Sequence, residues 1–138
     1  KGAMSAIKEA LQIVKREVVA ITPDGPRGPR MRVKDGGMRI AAMSGVPVFP
    51  VSYSTSRGKT LNSWDRFFVS YPFSRGVIIW GDPIEVPRKD ENGAYDIARI
   101  EIENSLTRIT QQADDLCGQP RVEPEGEPDF IKPNKKVS

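Results

Sequence analysis

Nine residues, Thr22 to Arg30, read TPDGPRGPR and pack three prolines, two glycines, two arginines and one aspartate together. Arginine presents a planar fork of N–H donors that matches the oxygens of a phosphate or carboxylate two at a time. Pro26 and Pro29 restrict the backbone around it, which lowers the entropy lost when a loop is ordered on binding. Gly25 and Gly28 allow turns that other residues resist, and Asp24 can brace an arginine or a backbone amide. The chemistry this spacing suits is oxyanion capture by a rigid loop, with Asp24, Gly25, Pro26, Arg27 and Gly28 at its centre and Arg30 continuing it.

Other origins of such a stretch have to be weighed beside that one. A tight surface loop with solvated arginines has the same composition. Two Gly-Pro-Arg triplets are too few for a collagen helix, and an apolar run precedes them. A Walker-type phosphate loop needs G-x-x-x-x-G-K-[S/T], which is absent. A basic nucleic-acid arm is conceivable, but no aromatic residue interleaves with these cations.

Residues 27–39 carry Arg27, Arg30, Arg32, Lys34 and Arg39 against Asp35 alone, a local excess of four positive charges in a chain whose net charge is +3. Lys34 either precedes a turn made by Asp35 and Gly36 or adds charge to the loop; Arg30 is preferred to Arg32 because it belongs to the loop itself. Histidine is absent from the 138 residues, which excludes any histidine base or histidine metal ligand in this chain. Cys117 has no partner for a disulfide, which fits a reducing compartment, and no histidine to activate it. No catalytic residue and no metal site is identified in the chain. No apolar run approaches the ~20 residues that span a bilayer.

The elements that would position the loop follow from periodicity. Residues 3–17 carry an amphipathic stripe and predict a helix. VVAI (18–21) is apolar on both faces and predicts a buried strand ending at the loop. Residues 36–45 predict a short helix stopped by Gly45, 46–54 a second strand with prolines at its ends, and 77–81 (VIIWG) a third, with Trp80 in the core. Residues 94–116 predict a long helix buried through Ala98, Ile102, Leu106, Ile109, Ala113 and Leu116. Between the second and third strands lies a polar-aromatic connection, 55–76, containing Trp64, Phe67, Phe68, Tyr71 and Phe73. These aromatics read either as a cluster packed over the sheet or as a membrane-contacting patch. The fold class expected is α/β, a parallel or mixed sheet with helices on both faces, over residues 1–117, followed by a proline-rich, disordered tail over 118–138. Ligands of such sheets bind at the carboxyl ends of strands, where Thr22–Arg30 falls.

The run from TPDGPRG through KDGGMRIAAMSGVPVFPVSY to SWDRF and PFSRGVIIWGDPI resembles the lysophospholipid acyltransferase superfamily, and within it an uncharacterised bacterial branch known as a domain of unknown function. In that superfamily a motif usually written Phe-Pro-Glu-Gly-Thr-Arg-Ser holds the phosphate of the acyl acceptor. Pro23, Asp24, Gly25, Pro26, Arg27 and Gly28 match it, with aspartate for glutamate and proline for threonine. A further motif sets prolines around a short apolar strand, matched by Pro47, Val48, Phe49, Pro50 and Val51. The superfamily's catalytic His-x-x-x-x-Asp motif has no counterpart here, so the resemblance implies the C-terminal portion of an acyltransferase, incomplete at its N-terminus and not expected to turn over alone.

The resemblance implies an acyl thioester donor (acyl-coenzyme A or an acyl carrier protein), no resident cofactor, and a lysophospholipid or other phosphate-bearing acceptor held by Asp24, Gly25, Pro26, Arg27, Gly28, Arg30 and Lys34. It implies a cytoplasmic protein with peripheral contact to the inner face of the cytoplasmic membrane and no nucleic-acid partner. The reading of a different class is a non-catalytic module that binds anionic lipid or nucleic acid through the basic loop, residues 22–39.

Overall fold

The computed structural model describes residues 2–126. Three helices and four strands follow one another as α1 (Gly2–Ile13), α2 (Asp35–Ser44), β1 (Val51–Thr55), β2 (Gly58–Thr60), β3 (Phe68–Ser70), β4 (Gly76–Trp80) and α3 (Ala94–Cys117). The chain is mixed α/β.

The strand pairing corrects the expected sheet. β1 pairs with β4 and β2 with β3, both antiparallel, and Val48 bridges Ile84 in the same sense. No parallel pair occurs among the described residues. The cause lies in residues 56–75. A parallel return needs a crossover, usually through a helix. Here the connection folds on itself as the β2–β3 hairpin, and the chain re-enters beside β1 running the opposite way. Ser56 N–H donates to Arg75 O at 2.7 Å, closing the mouth of that excursion.

VVAI is not a strand. It runs as irregular backbone, and Val18 is 96% exposed. β-branched residues favour extended backbone, but a strand also needs a neighbouring edge to pair with. No described segment supplies one.

The core lies between α2, α3 and the segment after β4. Val33, Met38, Ala41, Ala42, Ile84, Val86, Ala98 and Ile102 form it, with Val48, Tyr95 and Leu106 packed against it. α2 ends where expected. Gly45 takes the left-handed conformation (φ 72°) that caps helices at low cost, and its N–H donates to Ala41 O at 2.9 Å. On α3, Ala98, Ile102, Ile109 and Ala113 are buried as the stripe predicts, whereas Leu106 is half-buried and Leu116 is exposed.

α3 covers one face of β1–β4. Ser52 receives a hydrogen bond from Thr110 Oγ1 (2.8 Å), and Ser54 Oγ donates to Asp114 Oδ1 (2.8 Å). Strand alternation sends Val51, Tyr53, Ile78 and Trp80 to the other face. No described helix covers that face, so the expectation of helices on both sides fails, and with it the placing of Trp80 in the core: it is 67% exposed.

Candidate functional site

The basic loop is tied at its base. Lys34 N–H donates to Pro23 O at 2.8 Å, so residues 23–34 form a closed excursion that leads into α2. Asp24 Oδ2 accepts from Met31 N–H at 3.3 Å, the bracing role its position suggested. Gly25 (φ 67°) and Gly28 (φ 64°) both adopt left-handed backbone, and the Gly28–Pro29 peptide is cis. Gly28 is also required by space. A Cβ there would lie 2.7 Å from the ring of Trp64, which closes over the glycine.

The cations of this loop have separate fates. Arg30 donates from Nε to Glu123 O and from Nη1 to Trp64 O, both at 3.0 Å. Arg32 donates from Nη1 to Glu103 Oε1 at 2.5 Å, from Nε to Glu125 O at 3.2 Å, and from Nη2 to Gly126 O. The second oxygen of the buried Glu103 carboxylate accepts from Val33 N–H at 3.0 Å. Arg30 and Arg32 therefore spend their donors on holding the loop to Trp64, α3 and residues 123–126. Arg27 is exposed and has no hydrogen bond or ion pair among the described residues. Its neighbours fix the backbone that carries it. Lys34 is half-buried, with its stem beside Gly25. Asp35 opens α2 and pairs with Arg99 of α3 instead of capping the helix with its side chain.

Of the residues expected to hold an acceptor, the structure brings Asp24, Gly25, Pro26, Arg27, Gly28 and Lys34 into one loop and gives Arg30 an anchoring position. Three contributors escaped the sequence. Trp64 sits thirty-four residues from Arg30 along the chain, and nothing in SWDRF announces where its ring goes. Glu103 stands one position off the apolar stripe of α3; a lone acid beside such a stripe is the available signal. Residues 118–126 were expected to be disordered, but as far as Gly126 they follow α3 with a defined path. Glu125 N–H donates to Arg30 O at 3.1 Å, and the bonds above complete the strap. The remainder of the expected tail lies outside the described residues.

Away from the loop two carboxylates have displaced titrations: the hydrogen bond from Arg121 holds Asp115 below the ordinary range, and Asp114 is displaced upward. Burial pushes its carboxyl above the ordinary range, opposed by the hydrogen bond from Ser54. It sits under β1, far from the loop in the sequence, and reads as a packing group. Cys117 is half-buried and unpaired. No cluster of potential metal ligands occurs among the described residues.

Over 94 residues the chain is 39% identical to the uncharacterized protein RP090 of Rickettsia prowazekii (strain Madrid E), a match that takes in 67% of this chain. It spans 40% of the length of that relative. No protein-family profile and no solved structure matches the chain. No described helix is long and apolar enough to cross a membrane.

Proposed function

We propose that this chain is the acceptor-binding portion of an acyltransferase-like protein. Arg27 would take the phosphate of a lysophospholipid or related hydroxyl acceptor. Asp24, Gly25, Pro26 and Gly28 would set its loop, Lys34 would lend charge, and Arg30 would hold the loop in place. The acyl group would come from a thioester of coenzyme A or an acyl carrier protein, and the base for the acceptor hydroxyl from polypeptide beyond this chain. β1 and β4 would then be the margin of a larger sheet whose parallel part lies in the rest of such a protein; the length of the Rickettsia relative leaves room for one. Peripheral contact with the inner face of the cytoplasmic membrane belongs to the same reading.

The observation that carries it is the contrast among the arginines. One guanidinium, that of Arg27, is left open on a loop that Asp24, Arg30, Arg32 and the Lys34 backbone N–H help to fix. A preorganised donor of this kind loses little entropy on binding an oxyanion. The alternative of a diffuse basic arm for lipid or nucleic acid draws less support, because Arg30 and Arg32 already satisfy internal acceptors.

Titration with sn-glycerol 3-phosphate tests the reading. Arg27→Ala is expected to weaken binding roughly tenfold or more, the loss of a charge-assisted contact. Arg39→Ala, an exposed cation outside the loop, is expected to change it by less than about twofold. Equal binding by Arg27→Ala and the parent would refute the proposal.

A further inference from the structure

The β2–β3 hairpin carries a surface that the loop chemistry does not use. Its register sets Lys59 opposite Val69. The ladder is extended at both ends, by Leu61 N–H to Phe67 O (2.8 Å) and by Tyr71 N–H to Arg57 O (3.0 Å). Alternation therefore places Arg57, Lys59 and Leu61 of one strand and Phe67, Val69 and Tyr71 of the other on a single side. All six are exposed. The opposite side of the hairpin faces β1: the Tyr53 and Phe68 rings meet at 6.5 Å, tilted by 55°, Tyr53 donates its hydroxyl to Phe68 O, and Thr55 bonds Ser70. Just past β3, Phe73 is 98% exposed.

The charge of this region is one-sided. Residues 57–75 hold Arg57, Lys59, Arg66 and Arg75 against Asp65 alone. The Asp65 carboxylate is turned inward, accepting from the Ser63 hydroxyl and from Phe67 N–H. The side chains of Arg57, Lys59 and Arg75 have no partner among the described residues. Aromatic and aliphatic side chains interleaved with unpaired cations suit the boundary of an anionic bilayer. Rings and branched side chains enter at headgroup depth while lysine and arginine meet lipid phosphates. A nucleic-acid strand would use the rings as stacking platforms but gains nothing from Leu61 and Val69.

We infer that the outward side of the β2–β3 hairpin, with Phe73, is a docking surface for an anionic lipid bilayer. The Gly28–Trp64 contact fastens the basic loop to the turn of this hairpin, so docking would bring Arg27 to the headgroup layer. The inference rests on the proposed function for that last step alone; the hairpin's own binding is separable from it.

Cosedimentation of the 138-residue chain with vesicles of phosphatidylcholine and phosphatidylglycerol, against vesicles of phosphatidylcholine alone, is the test. The parent is expected to sediment with the anionic vesicles and to be released by high salt. Phe67→Ser with Phe73→Ser is expected to lower partitioning roughly tenfold or more, from lost apolar insertion. Lys59→Gln is expected to lower it about fivefold. Both variants should melt as the parent does, since all three side chains are exposed. Arg27→Ala, which removes a single cation at the headgroup layer, should lower partitioning by no more than Lys59→Gln does. Absence of vesicle binding, unchanged partitioning of the hairpin variants, or loss confined to Arg27→Ala would each overturn the inference. So would hairpin substitutions that abolish self-association or oligonucleotide binding while vesicles leave the parent in solution. Glycerol 3-phosphate binding through Arg27 would survive any of these failures, which keeps the two proposals apart.

Discussion

The two faces of the β1–β4 pair are assigned the wrong way round for an ordinary half-buried sheet. The side pressed against α3 carries Ser52 and Ser54 beside Val77 and Ile79. The open side carries Val51, Tyr53, Ile78 and Trp80. Antiparallel sheets normally turn the larger apolar residues inward and leave polar ones in water. Here the covered side is held by hydrogen bonds, Ser54 to Asp114 and Thr110 to Ser52, together with Gln119 Nε2 donating to Thr55 O at 2.8 Å. Burial on this side is thus secured by directional contacts to one helix. Apart from Tyr53, which meets Phe68 of the hairpin, the open side keeps its hydrophobic surface unspent. Stability and contact capacity are in this way divided between opposite sides of two strands.

The sharpest way to break that comparison is to remove bulk on the covered side. Ile109 is 1% exposed on α3, and Ile109→Ala is expected to cost about 2–5 kcal/mol in denaturant unfolding. Glu103→Ala follows. It strips a buried acceptor from Arg32 and from Val33 N–H, and about 2–3 kcal/mol should be lost, with protease sensitivity rising first in residues 23–34. A smaller change of opposite sign is expected at Asp114. Its folded carboxyl is raised by burial, so the folded chain holds that proton more tightly than the unfolded one. The resulting stability is full below the ordinary carboxyl range and is lost as pH rises through the raised value. Asp114→Asn should therefore melt above the parent near neutral pH, with the gap closing at about pH 3. On the open side, Ile78→Thr keeps a β-branched residue in β4 and is expected to change stability by no more than about 0.5 kcal/mol. A cost at Ile78 as large as that at Ile109 would show that the open side is buried in solution, and the contrast would fall.

Those contrasts also mark where the sequence could be read. The alternating spacings of α3, the stop at Gly45 and the apolar run of β4 are local signals, and each produced the element it announces. Period-two alternation tells which residues share a side of a strand, but not which side something covers; Trp80 was misplaced for that reason. VVAI has strand-forming residues and no edge to join. The β2–β3 hairpin has three paired residues per strand and a seven-residue turn, too short and irregular to stand out. In the candidate site, the turn-forming glycines and the brace from Asp24 follow from residue types within the loop. The engagement of Arg30 does not, because its acceptor at residue 123 lies 93 positions away.

That separation has a consequence for how the molecule is made. The bond from Glu125 to Arg30 joins residues 95 apart, and contacts of such range close late. During translation α1, the basic loop, α2 and the hairpin all leave the ribosome before the strap does. At roughly 5–20 residues per second, the loop waits about 5–20 s for the segment that fixes Arg30 and Arg32. Until the strap arrives, Arg30 and Arg32 have only Trp64 O and Glu103 as acceptors, so the loop displays more open guanidinium than the finished protein does. Residues 123–126, which emerge long after the loop, complete the contacts that confine its anion-seeking character to Arg27.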